Sequence, residues 1–177
     1  MGEIKSTLDL VMEKTRHLSF SKTEREDQRK AELKRVLLGI VQKYQDETLT
    51  LEALQKELGI LEAKYKELSI TDNLKAVIGE KLDLDQDNAR LSVLLNSAAD
   101  TDASRLESIF DEFQKGIKRV SEKRIQEKKK TLAQNYLISG SAVAPNLETD
   151  GPYKSELENM RSEYGVRLEK EKAKLGL

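Results

Sequence analysis

The sequence predicts an all-α protein: an elongated antiparallel helical hairpin or coiled-coil-like bundle, with a short helical tip and flanking terminal helices. Three observations predict it. Charged residues make up 36% of the 177 and apolar residues 37%, a balance suited to long amphipathic helices rather than a thick core. Leucines and aromatics recur at steps of four and three over two long stretches. Both prolines fall in one short segment, Ile138 to Tyr153, so the rest of the chain is free of the strongest helix breaker. A net charge of −1 with periodic leucines argues against a disordered chain.

The elements follow in order as one elongated domain. Ile4, Leu8, Val11, Met12 and Thr15 share a helical face, which predicts an N-terminal helix over 3–20. Ser21 and Glu24 have capping-box spacing and open the next helix. Leu33, Leu37, Ile40 and Tyr44, then Leu51, Leu54, Leu58, Leu61, Tyr65 and Leu68, form a heptad seam over 24–68. The seam lapses at Asp46-Glu47-Thr48, where Thr50 is placed to cap a fresh start, so this is one long helix or two stacked ones. Leu74, Val77, Ile78 and Leu82, then Leu84, Leu91, Leu94, Leu95 and Ala98, predict a helical pair over 71–98. A second long helix, 102–138, carries Leu106, Phe110, Phe113, Ile117 and Val120. Its seam then slips to Ile125, Leu132 and Tyr136, a stutter. A Gly/Pro segment spans 139–152. Pro152 suits the first turn of a last helix, 153–175, with Tyr153, Leu157, Met160, Tyr164 and Leu168.

The economical packing lays the two long seams face to face, with 71–98 as the tip and the terminal helices at the open end. Charge follows that axis. Residues 83–112 hold eight acids against Arg90 and Arg105, while 118–130 hold seven bases against Glu122 and Glu127. The expected rod is acidic at its tip and basic at its open end, where Lys128 to Lys130 would approach Arg25, Arg29 and Lys30.

Several chemistries are excluded or unsupported. With no cysteine, disulfides, zinc thiolates and thiol catalysis are out. The single histidine, His17, reads as a cation near a helix C-terminus. Glu13 lies four residues before it, not the three of the di-iron bundle motif. Asp83-Leu84-Asp85-Gln86-Asp87 begins like a calcium loop but has Asn88 in place of glycine and Leu94 in place of glutamate. Asp100-Thr101-Asp102 fails likewise at Arg105. No phosphate-binding glycine loop is present. No catalytic residue, metal ligand or cofactor is therefore assigned, and a non-enzymatic protein is expected.

Two surfaces remain as binding candidates. The first is Val143, Ala144, Pro145 and Leu147, an apolar patch inside the Gly/Pro segment. It either folds back on the bundle, or forms an extended arm for a partner's groove or sheet edge, or is plain linker. The second is the basic run, with Lys123, Arg124, Lys128, Lys129 and Lys130 as candidate anion-binding residues. Residues 50–68 also resemble a helix-turn-helix, with Gly59 at its turn. They depart from that pattern at Gln55 and Leu61, and Glu62 and Glu67 cancel Lys64 and Lys66 on the would-be reading helix. The longest apolar run, Val36 to Val41, is far too short to span a bilayer, and no secretory leader is read. Met1 to Ser6 fits the loose myristoylation pattern but reads more simply as a helix start. A cytoplasmic protein without a membrane role is expected.

The run Glu3 to Thr15 (EIKSTLDLVMEKT), taken with Ile138 to Glu148 (ISGSAVAPNLE), resembles a family of small bacterial helical proteins of unassigned function. The resemblance covers only those two stretches. It implies a bacterial cytoplasmic protein and brings no activity, ligand or catalytic residue. The expectation is a helical scaffold or chaperone-like adaptor with an unidentified protein partner, and also a homodimer, because a thin hairpin leaves apolar stripes partly covered. The alternative is a nucleic-acid binder using residues 50–68 or the basic face 118–130.

Overall fold

Residues 21–177 are described by the computed structural model; the expected N-terminal helix, the myristoylation pattern, Glu13 and His17 lie outside them. The described residues form six helices and no strand: α1 (Lys22–Gln45), α2 (Leu51–Lys64), α3 (Ile70–Lys81), α4 (Ala89–Ala98), α5 (Ser104–Tyr136) and α6 (Gly151–Leu175). The all-α class is as the periodicity predicts.

Local signals place most of the ends. Ser21 Oγ accepts the Glu24 amide at 3.2 Å while Glu24 returns to the Ser21 amide at 2.7 Å, completing the capping box. The long seam breaks at 46–50. Asp46 caps α1, Glu47 takes the left-handed conformation at φ 60°, and Thr50 accepts the Ala53 amide to start α2. Ser69 does the same for α3 through the Asp72 amide. Between α3 and α4 the buried Asn88 holds the loop together. Its amide donates to the carbonyls of Asp83 and Gln86 and its oxygen accepts the Asp83 amide. Leu137 closes α5 in the left-handed conformation and Asp150 opens α6.

The packing differs from the expected hairpin of two long seams. The break at 46–50 folds α2 back, so Leu33, Leu37 and Val41 of α1 share one core with Leu54 of α2 and Leu74, Val77 and Ile78 of α3. The two halves of the first seam thus cover each other and α3, and need no second long helix. Residues 71–98 are not a tip: Leu74, Val77, Ile78, Leu94 and Leu95 are fully buried at the centre of a helical head. The partner of α5 is α6, which the sequence places only as a flanking helix. Contacts run Glu112 to Arg167, Phe113 to Tyr164, Ser121 to Tyr153 and Arg124 to Asp150, so the two helices are antiparallel.

Leu106 and Phe113 root α5 in the head and Leu168 roots α6. From Gln114 to Arg167 the only buried residue is Asp150. This outer part is a two-helix arm of half-buried contacts, with Ile117, Met160 and Tyr164 between its helices. Its far end, residues 137–150, is the true tip. Consequently Lys128 does not gather with Arg29: it binds Asp150, and Arg29 pairs with Glu67.

Candidate interaction site

The arm tip is built by chain chemistry that ends one helix and starts the next. The left-handed Leu137 donates its amide to the Leu132 carbonyl, and Ile138 donates to the same oxygen at 3.1 Å. That turn throws three apolar side chains outward: Tyr136 is 67%, Leu137 89% and Ile138 49% exposed. Large apolar groups scattered singly on a surface need no explanation, but three in a row at the end of an arm form a patch.

Behind the patch, one carboxylate holds the segment in place. Asp150 accepts the Tyr153 amide at 2.9 Å as the N-cap of α6, the Arg124 guanidinium at 3.0 Å and the Lys128 ammonium at 2.7 Å. Its side chain is only 2% exposed. The Lys128 ammonium, the Tyr153 amide and the Arg124 guanidinium hold its carboxyl well below the usual carboxylate range, against the opposing effect of burial. Arg124 is pushed up in turn by Asp150 and Glu127. A charge this enclosed is tolerated because each of its partners is a charge or a directed N–H.

The residues chosen from sequence divide on this geometry. Val143, Pro145 and Leu147 are half-buried and Ala144 is exposed. Pro145 and Asn146 lie with Leu132 and Thr131 around a cleft of about 420 Å³ beside α5. The segment therefore runs back along the arm rather than standing free of it. Among the five candidate anion-binding residues, Arg124 and Lys128 are committed to Asp150. Lys123, Lys129 and Lys130 have no ion-pair partner among the described residues, and neither do Lys118 and Arg119 on the same helix. Sequence reasoning missed both the Tyr136 to Ile138 patch and the role of Asp150. The signal for the second was present: an aspartate two residues before a proline, with bases four apart on the preceding helix.

The head carries a second surface. A groove of about 930 Å³ opens between the 84–88 loop, α4 and the start of α5. Leu84, Val93 and Phe110 supply apolar lining, and Asp85, Asp87, Glu107 and Asp111 bring carboxylates. Asp85 is paired with Arg161 of α6 at 3.1 Å, and Asp87 accepts the Ala89 amide at 2.9 Å. These acids do not assemble into a calcium loop, and no group of acids and histidine among the described residues is arranged to hold a metal ion.

The helix-turn-helix expectation is corrected here. Residues 51–64 form one uninterrupted helix through Gly59, and the next turn comes only after Tyr65. The heptad leucines extend α2 past the glycine because Leu58 and Leu61 are both buried on the head. No helix among the described residues is long and apolar enough to cross a membrane. The chain matches no protein-family model, no curated protein and no solved structure.

Proposed function

We propose that this protein is a non-enzymatic helical scaffold or chaperone-like adaptor of the bacterial cytoplasm, which presents the tip of its two-helix arm to a protein partner. The observation that carries the reading is the run of exposed Tyr136, Leu137 and Ile138, held at the end of the arm by the Asp150 clamp. A helical head supplies the anchorage, and a thin arm reaches away from it. Protein contacts are dominated by a few apolar or aromatic anchors, and three such groups side by side suit that role. The half-buried Val143, Pro145 and Leu147 back the patch rather than forming it.

The test is affinity capture with the wild type and with Leu137→Asp/Ile138→Asp. Both substitutions fall on exposed side chains, so the melting temperature should stay unchanged while a partner present in the wild-type eluate disappears. An eluate identical for both proteins refutes the tip as the contact.

A second reading, a polyanion or nucleic-acid binder, is favoured by one observation: Lys118, Arg119, Lys123 and Lys130 are exposed on α5 without ion-pair partners among the described residues. Binding of that kind weakens steeply with salt. A complex with single-stranded or duplex nucleic acid that persists at low salt, and is lost in Lys123→Glu/Lys130→Glu, would replace the adaptor reading. The absence of any binding at low salt removes the alternative.

A further inference from the structure

Helix α5 carries a stripe that its own fold leaves largely exposed, with Asp111 bridged only to Lys115, one turn further on, at 3.1 Å. Ser104, Asp111, Lys118, Glu122, Lys129 and Tyr136 follow one another at steps of seven, with a single step of four in the middle. At 3.6 residues per turn these positions fall on one face of the helix. That face is not the one α6 covers, which carries Phe113, Gly116, Ser121 and Arg124. All six residues are exposed except Lys129, which is half-buried. The N-terminal end of the stripe enters the acidic groove, since Ser104 and Asp111 line it. The C-terminal end is the exposed Tyr136 of the arm tip.

The order of charges along the stripe is self-complementary in one orientation only. Turn a second copy of α5 antiparallel about Val120. Asp111 then faces Lys129, Lys118 faces Glu122, and Tyr136 faces Ser104 at the end of the groove, where Phe110 and Val93 offer apolar lining. Each pairing occurs twice by symmetry. A parallel arrangement instead sets Asp111 on Asp111, Lys118 on Lys118, Glu122 on Glu122 and Lys129 on Lys129, four like-charge meetings. We infer that the α5 stripe is a self-association surface on which two copies of this chain pair antiparallel, each arm tip lying in the acidic groove of the other head.

The contact is two-fold and closes on itself, so it yields a dimer and not a filament. From Ser104 to Tyr136 it is about 48 Å long at 1.5 Å per residue. One helix wide on each side, it covers roughly 1,000 Å² in total, at the lower limit for a specific interface. The pairing is therefore weak and reversible, and sensitive to salt because its charges are at the surface.

Sedimentation equilibrium of the full chain tests it. At low ionic strength and rising concentration the wild type should approach twice its 20.1 kDa mass, and return towards the single-chain mass in high salt. Asp111→Lys and Lys129→Glu each place like charges opposite one another, and each alone should be monomeric, with at least a tenfold weaker association. An equimolar mixture of the two restores opposite charges across both pairings and should dimerise as the wild type does. Far-UV circular dichroism and melting temperature confirm that each variant is folded before its mass is read. A wild type that stays monomeric, variants that dimerise unaltered, or a mixture that is not rescued overturns the pairing. A monomeric wild type whose tip still captures a foreign protein also overturns it, and leaves the adaptor reading standing.

Discussion

Truncating Phe113 to alanine should be the most damaging single change on α5. The ring is fully buried at the point where α5 leaves the head, and its centroid lies 5.5 Å from that of Tyr164, tilted at 53°. A buried aromatic removes roughly 200 Å² from water, or about 5 kcal/mol at 25 cal/mol per Å². Alanine keeps part of that burial and a real unfolded chain hides some of it, while the cavity left behind adds cost; measured truncations of this type fall at about 3–5 kcal/mol. Tyr164 also loses its tilted ring contact, worth about 0.5–1.5 kcal/mol within that total. Against a domain stability of about 5–15 kcal/mol, Phe113→Ala should lower the urea midpoint sharply and the melting temperature by roughly 8–15 °C. The assay is urea unfolding followed by far-UV circular dichroism, with Ile117→Ala as the comparison. Ile117 lies four residues further out and is only half-buried, so its loss should be well under half as large. A cost below about 1 kcal/mol for Phe113→Ala, or equal costs at the two positions, would refute a core that ends at Phe113.

Three further outcomes follow from the same geometry. Gly59 lies inside α2 with nothing within 4 Å of the position a Cβ would take, so Gly59→Ala should stabilise by about 0.5–1 kcal/mol; a loss in thermal or urea unfolding would mean that a turn sits there after all. Asp150 has a folded-state pKa depressed below its unfolded value, so its stabilisation is present above the unfolded pKa of about 3.9 and is lost as pH falls through the folded one. Asp150→Asn keeps a competent N-cap but removes the charge: it should melt lower at neutral pH and show a shallower decline on acidification, and parallel curves of melting temperature against pH would contradict the clamp. Val143→Asp and Leu147→Asp insert charges at half-buried positions and should each cost about 1–2 kcal/mol, whereas Leu137→Asp at the exposed tip should stay within about 0.5 kcal/mol; differential scanning calorimetry separates the two cases.

Local chemistry was legible in the sequence, and tertiary pairing was not. The capping box at Ser21 and the restart at Thr50 are each written in four consecutive residues, and the structure forms both. The core leucines were equally plain, because a residue such as Leu37 or Leu94 sits in a periodic stripe that has to be covered by something. What covers it is a different question. A heptad stripe states that a partner exists without naming it, so Leu33 to Tyr44 satisfied by α2 and α3 looks the same in sequence as Leu33 to Tyr44 satisfied by α5. The choice turned on Asp46 to Leu49, where a short break reverses the chain rather than stacking two helices. The tip patch was hidden for a related reason. Tyr136 falls in step with Ile125 and Leu132, and only the left-handed Leu137 shows that the helix has run beyond its partner by then.

The arm's lack of a dry interior has a mechanical consequence. Amide protection should be weaker along it than in the head, because from Gln114 outward no residue of α5 is more than half-buried. The outer turns can then unzip and re-form while the head stays intact. Asp150, which ties Arg124 and Lys128 of α5 to the start of α6, should be the point at which that fraying is checked.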